Sequence, residues 1–235
     1  GIGASAGGLE ALEDFFRPMP PATGMAFVVV SHQSPGHTSL LPELLAKCTE
    51  MNPVLAEQGM KVEPNCIYIN PPGHNLSIRE GILQLAESTP RGIGPLPIDY
   101  FFRSLAIERR EHAICVILSG TATDGTVGLR DIKAETGLVL AQEPTTAKYS
   151  GMPQSAIGTG LVDYVLPPGD MAAAIISFIE AANSEATQLA TPAELIAPES
   201  LDRILTLLRE ISGHDFALYK RNMIARRVLR RMTVT

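Results

Sequence analysis

A chain of 235 residues is long enough for one domain with a complete core plus a small appendage. At 45% hydrophobic and 19% charged it is too apolar to be disordered, yet no run of 18 apolar residues offers a membrane-spanning helix. The net charge of −6 divides into −11 over residues 1–200 and +5 over residues 201–235, so two parts of different character are joined and the acidic body argues against nucleic-acid binding.

The chain opens at Gly1 with no initiator Met and no leader pattern, which reads as a piece of a longer product. Behind that start, Leu9, Leu12, Phe15 and Phe16 recur at helical spacing, with Glu10, Glu13 and Asp14 on the other face. Ala26 to Val30 is a continuous apolar run, as a strand covered on both sides requires. Lys61 to Leu85 contains Cys66-Ile67-Tyr68-Ile69, the turn Asn70-Pro71-Pro72-Gly73 and Leu76-Ser77-Ile78, and is expected to form an inserted β-hairpin. Ile98, Phe101, Phe102 and Leu105 predict a helix leading into a second buried strand, Ala113 to Leu118. Leu138 to Ala141 and Leu161 to Leu166 are further strands, and Gly169-Asp170 starts a helix carrying Met171, Ile175, Phe178 and Ile179. Strand and helix in alternation predict an α/β fold, a doubly wound, mostly parallel sheet with helices on both faces.

Asn183 to Ser200 is rich in Ala, Thr, Ser, Glu and Pro and is expected to be a linker. Beyond it, Leu201, Ile204, Leu205, Leu208 and Ile211 form a helical stripe that Gly213 ends. A second helix is expected over Lys220 to Met232, with Arg226, Arg227, Arg230 and Arg231 in two pairs. The cysteines Cys48, Cys66 and Cys115 are scattered, without C-x-x-C, and give neither a disulfide framework nor a zinc spacing. Cys115 falls in an apolar run and is expected in the core. The set points to a reducing, cytoplasmic setting.

Gly3-Ala4-Ser5-Ala6-Gly7 matches G-x-S-x-G, with a helix pattern directly behind it. A serine on such a strand-to-helix turn is exposed, and the helix start supplies unpaired N–H groups suited to an oxyanion. A glycine-rich turn in which Ser5 only caps a helix has the same pattern. Gly1-Ile2-Gly3-Ala4-Ser5-Ala6 also fits the dinucleotide fingerprint, but that needs an acidic residue after the second strand, and Ser31 to Gly36 contains none. His32 stands there instead. Ser5, His32 and Asp124 each follow a predicted strand, so a parallel sheet brings all three to one edge, as a nucleophile, a base and an orienting carboxylate require. His32 and His37 lie across Ser34-Pro35-Gly36 and share no helix face, so no metal site is expected. His74 could line a cleft, whereas His112 and His214 border apolar segments. Asp99 and Glu143 adjoin Pro-containing turns and read more readily as caps or solvated acids than as a second catalytic acid.

Five blocks give the chain a family resemblance. They are Gly1-Ile2-Gly3-Ala4-Ser5-Ala6-Gly7-Gly8, Ser31-His32-Gln33, Tyr68 to His74, Leu118-Ser119-Gly120 running to Thr123-Asp124-Gly125, and Tyr149 to Ile157. In this order they resemble the CheB-type chemotaxis receptor methylesterases over about residues 1–180. The resemblance implies Ser5 as nucleophile, His32 as base, Asp124 as carboxylate, and hydrolysis of γ-glutamyl methyl esters with some deamidation of receptor glutamines. It implies no cofactor. The substrate it implies is the cytoplasmic helices of methyl-accepting receptors, with histidine-kinase signalling proteins as further partners. Ala6 replaces the family's usual Thr, and Gly120-Thr121-Ala122 its frequent Gly-Met-Gly. Both changes fall where oxyanion donors belong, and the backbone N–H groups of Ala6 and Thr121 are the candidates.

Leu201 to Met232, with Gly213-His214-Asp215-Phe216 and the arginine pairs, resembles the opening helices of CheR-type methyltransferases. The resulting expectation is an esterase domain over 1–182, a linker over 183–200 and the start of a CheR-type domain over 201–235. This piece, lacking a methyltransferase core, is not expected to methylate. The competing expectation is a non-catalytic, esterase-like scaffold presenting its tail to a signalling partner.

Overall fold

A computed structural model of the chain describes residues 1–33, 39–88, 96–187 and 196–213, with Arg221, Ile224, Ala225, Val228, Leu229 and Met232 beyond them; residues 181–187 are described by backbone alone. His37, His214 and the arginine pairs Arg226, Arg227, Arg230 and Arg231 lie outside the described residues. The chain divides into two compact units, Gly1–Ala174 and Ile175–Thr235.

In chain order the first unit contains β1 (Ile2–Ala4), α1 (Gly8–Phe16), β2 (Phe27–Ser31), α2 (Leu41–Leu45), β3 (Asn52–Leu55) and β4 (Cys66–Ile69). Then come β5 (His74–Arg79), β6 (Ile82–Glu87), α3 (Pro97–Arg109), β7 (Ile114–Ile117), α4 (Gly128–Ala134), β8 (Leu138–Gln142), α5 (Gly151–Ile157) and β9 (Tyr164–Leu166). Helix α6 (Met171–Thr187) crosses into the second unit, which also holds α7 (Pro198–Ser212).

Seven strands form one sheet in the order β3-β4-β2-β1-β7-β8-β9, and every pairing in it is parallel. Alternation along β2 explains the layers. Phe27 meets the rings of Phe15 and Phe16 from α1. Val28 and Val30 face the other way, into a core with Phe101, Phe102 and Leu105 of α3. Burying both faces is what makes β2 a continuous apolar run, and each large side chain so buried contributes about 1.5–3 kcal/mol. Cys115 lies in the α3 core, where burial pushes its thiol up to about 12.

The hairpin is present, but from a different pair of strands than expected. Cys66–Ile69 pairs in parallel with β2 and β3, and Ile67, Tyr68 and Ile69 are buried. The antiparallel ribbon is β5 with β6, joined by Glu80-Gly81, both at positive φ as a type I′ turn demands. Asn70-Pro71-Pro72-Gly73 is therefore the link from sheet to hairpin rather than the hairpin turn.

Both ends of the expected linker over 183–200 are corrected, and its residues 188–195 lie outside the described residues. Residues 183–187 continue α6, and α7 already begins at Pro198, a favoured first helical position. The Ala and Glu of that stretch are helix formers, so composition alone misled. On α7, Leu201 and Leu205 are buried with Ile196, Ile224 and Ala225, whereas Leu208 and Ile211 at the far end of the stripe are exposed. Gly213 ends the helix in the left-handed conformation, as read from sequence. No helix among the described residues is long and apolar enough to cross a membrane.

At the amino edge of the sheet, Asp163 is buried beneath Lys133, whose ammonium lies 2.8 and 2.9 Å from its two oxygens, and it also accepts from Val139 N. Asp163→Ala strands that N–H and removes the partner of a mostly buried cation. An expected loss of about 2–4 kcal/mol is checked by denaturant unfolding.

Candidate active site

The sheet changes winding direction between β1 and β7: from β1 the chain moves out through β2 to the edge strand β3, fills the gap between them with β4, then returns to β7 on the other side of β1. A crevice opens at such a point, beyond the carboxyl ends of the strands. Ser5 follows β1, His32 follows β2 and Asp124 lies in the loop after β7. The three loops meet. Ser5 Oγ lies 3.0 Å from His32 Nδ1, and His32 Nε2 lies 2.9 Å from Asp124 Oδ2.

This ring orientation sets the proton inventory. With Nε2–H donating to the Asp124 carboxylate, Nδ1 keeps its lone pair and accepts from the Ser5 hydroxyl. His32 is partly exposed, with a side-chain accessibility of 33%, while Asp124 is fully buried at 0%. The imidazole is thus open to solvent, and the carboxylate behind it is not.

Asp124 is held by the backbone. Its Oδ1 accepts from Asp99 N at 2.9 Å and Gly125 N at 2.8 Å, and its Oδ2 accepts from Ile98 N at 3.0 Å. Two of these donors belong to the first turn of α3, whose N–H groups have no helical partner and favour negative charge. Asp99 is engaged as a helix cap. Its Oδ1 accepts from Val127 N and Gly128 N at the start of α4. Burial raises the pKa of its carboxyl against these two bonds, and the neighbouring Asp124 adds to the rise.

The Ser5 turn is pinned from β7. Ser5 N donates to Ser119 O at 2.9 Å, and Ser119 Oγ donates to Ala6 O at 2.8 Å. Buried Gln142 accepts from Ser119 N in turn. The left-handed residue of the turn is Gly7 (φ 67), and a Cβ there would stand 2.7 Å from Lys148 Cβ. Gly120 packs on Ser5, its hypothetical Cβ only 3.1 Å from Ser5 Cβ. Thr121 is the next residue along the chain. Ser5 N is already used, and among the described residues the N–H groups of Ala6 and Thr121 have no hydrogen-bond acceptor.

The residue before His32 is held by Asn70, which the sequence placed in a turn and in a resemblance block without assigning it a role. Buried Asn70 accepts from Ser31 N at 2.8 Å through Oδ1 and donates to Ser31 O at 3.0 Å through Nδ2. Its side chain thereby extends the β4 edge along β2, up to the residue before His32. Gln33 Nε2 closes the arrangement on Asn70 O. Asn70→Ala leaves both the N–H and the C=O of Ser31 without these partners, and a kcat lowered by about 10–100-fold with little change in KM is expected, read by steady-state ester hydrolysis. The available signal was an amide residue directly after an apolar run and before Pro71.

A cavity of about 340 Å³ opens beside the dyad, lined by Ser5, Leu9, Leu12, His32, Leu40 and Pro72 among others. His74 is half-buried beside it, its Nδ1 2.9 Å from Pro72 O, while His112 is exposed and Glu143 half-buried at the end of β8. Among the described residues no group of three His, Cys, Asp or Glu side chains is gathered for a metal.

Comparison with known proteins places this geometry. Residues 1–175 match the family described as CheB methylesterase, and residues 199–235 match the CheR methyltransferase all-alpha domain. Protein-glutamate methylesterase/protein-glutamine glutaminase 1 of Syntrophomonas wolfei is 33% identical over 186 residues, covering 76% of this chain and 53% of that protein. The protein of the same description from Geobacillus kaustophilus is 37% identical over 184 residues, covering 76% and 52%. An uncharacterized 104.1 kDa protein of Rhodobacter capsulatus is 32% identical over 214 residues, covering 83% of this chain and 22% of its own length. The crystal structure of the Thermotoga maritima CheB methylesterase catalytic domain superposes with a TM-score of 0.69 at 33% identity, over 74% of this chain and 95% of that one. The chain spans about half the length of the two methylesterase relatives.

Proposed function

The chain belongs to the CheB methylesterase family, and from that premise we propose that it is a serine hydrolase that demethylates γ-glutamyl methyl esters on receptor proteins. The observation that carries the reading is the unbroken relay Ser5 Oγ, His32 Nδ1, His32 Nε2, Asp124 Oδ2 at 3.0 and 2.9 Å. Ser5 Oγ attacks the ester carbonyl as His32 Nδ1 takes its proton, and Asp124 stabilises the imidazolium. The N–H groups of Ala6 and Thr121 receive the oxyanion. The tetrahedral adduct collapses, His32 returns the proton to the leaving methoxide, and methanol departs. Water, deprotonated by His32, then cleaves the acyl-enzyme and regenerates Ser5 with a free glutamate. An amide in place of the ester, its leaving nitrogen protonated by the same imidazole nitrogen, gives glutamine deamidation with release of ammonia, in keeping with the double description of the relatives.

The substrate in this reading is a methylated receptor's cytoplasmic helices, which puts the reaction in the cytoplasm; the three unpaired cysteines accord with a reducing compartment. The esterase unit precedes the start of a CheR-type helical domain, with its signalling partners among the kinases that such receptors control. The test is methanol release from a purified, methylated methyl-accepting receptor, run beside a serine-directed fluorophosphonate. Methanol release together with labelling of the chain is the expected result. Absence of both, in a folded sample, leaves only the non-catalytic scaffold.

A further inference from the structure

Two helices begin beside the catalytic carboxylate, and neither has a side-chain cap of its own. The residue before α3 is Leu96 and the one before α4 is Val127. Each helix start is instead satisfied from the other. Asp124, in the turn that enters α4, accepts from Ile98 N and Asp99 N of α3. Asp99, in the first turn of α3, accepts from Val127 N at 2.9 Å and Gly128 N at 2.7 Å. The four bonds close a ring: Asp124 carboxylate, start of α3, Asp99 carboxylate, start of α4, and back to the turn that carries Asp124.

The ring is tight and shielded. Asp99 is 8% exposed and Asp124 0%. The helix starts approach so closely that a Cβ on Gly128 would stand 3.0 Å from both Asp99 Cα and Asp99 O. A buried N–H left without an acceptor costs about 1–3 kcal/mol, so loss of the Asp99 carboxyl leaves the buried Gly128 N–H, and beside it the part-buried Val127 N–H, without their acceptor where the turn that aims Asp124 at His32 enters α4. Relief comes by shifting that turn. A reacting group displaced by about 1 Å can cost on the order of 10²-fold in rate.

We infer that Asp99 is a positioning residue for the triad, locking Asp124 in register with His32 through the reciprocal caps of α3 and α4. This inference rests on the reading of Asp124 as the orienting carboxylate. Asp99 touches no substrate atom; it acts through the turn.

The test compares Asp99→Asn, Asp99→Ala and Asp163→Ala in the full chain. Readouts are the second-order rate of fluorophosphonate labelling, kcat and KM for methanol release, and the melting temperature. Asp99→Asn keeps an oxygen acceptor for both N–H groups and is expected to label within about threefold of wild type. Asp99→Ala is expected to label about 10–100-fold more slowly, with kcat falling in parallel and KM nearly unchanged. Asp163→Ala, at the opposite edge of the sheet, lowers the melting temperature without slowing labelling. Wild-type labelling by folded Asp99→Ala overturns the inference, as does equal slowing by Asp163→Ala. Should Asp99→Ala not fold, Asp99→Glu decides: it keeps the carboxylate but moves it by one methylene, and labelling at the wild-type rate overturns the proposal. A wild-type chain that does not label at all rejects the hydrolase reading itself, a different outcome from slow labelling confined to the Asp99 variants.

Discussion

Ser5→Ala is expected to lower kcat for ester hydrolysis by roughly 10⁴-fold or more while leaving the fold and its melting temperature unchanged. Both halves follow from the same geometry. The reacting atom is lost, and His32 Nδ1 then has no hydroxyl at 3.0 Å to deprotonate. The turn itself is held by groups the substitution spares: Ser5 N on Ser119 O, Gly8 N on Ser5 O, and Ser119 Oγ on Ala6 O. Ser5 is only half-buried, so removing its oxygen opens no deep cavity. Fluorophosphonate labelling disappears with it. A folded Ser5→Ala chain that still releases methanol at near the wild-type rate places the nucleophile elsewhere and ends the assignment.

How much of this was legible in the chain depends on whether the information was local. The convergence of Ser5, His32 and Asp124 was, because three short loops each follow an apolar strand run, and parallel pairing carries all such loops to one edge. Ser5, His32 and Asp124 needed only the order of strands and turns. The hairpin partner was not, because Cys66-Ile67-Tyr68-Ile69 reads equally as a ribbon strand or a buried parallel strand; its burial on both faces settles the matter. The extension of α6 to Thr187 was missed because Ala-, Ser- and Glu-rich sequence suits a helix and a linker alike. The contacts of Asn70, Ser119, Gln142 and Asp99 escaped for a third reason. Each acts on a backbone group from another segment, 23 to 39 positions away in the hydrogen bonds of Asn70, Gln142 and Asp99 and more than a hundred in that of Ser119 to Ala6. Asp99 shows the pattern well. Its position near a helix start suggested a cap, and it is one, but for α4 rather than for its own helix.

Asp124→Asn is expected to cost on the order of 10⁴-fold in kcat, for a reason specific to this carboxylate's surroundings. Every contact that the two oxygens make is with a donor: Asp99 N and Gly125 N on Oδ1, Ile98 N and His32 Nε2 on Oδ2. An amide supplies one acceptor and one donor, so either placement fails. With its NH₂ on the Oδ1 side it opposes two backbone N–H groups, and the turn must shift, moving the remaining oxygen from His32. With its NH₂ on the Oδ2 side it opposes Ile98 N and forces His32 to accept at Nε2. The imidazole proton then sits on Nδ1, facing Ser5, where it cannot take the hydroxyl proton. Stability also falls, by about 1–3 kcal/mol for the stranded N–H group or groups. Asp99→Ala should share part of the kinetic defect, because it loosens the same turn without disturbing the acceptor. The double variant Asp99→Ala/Asp124→Asn is therefore expected to be far less than multiplicatively impaired, since the two acids act as one unit. Full multiplicative loss, measured as kcat across the four members of the cycle, shows the two acids to be independent and removes Asp99 from the machinery.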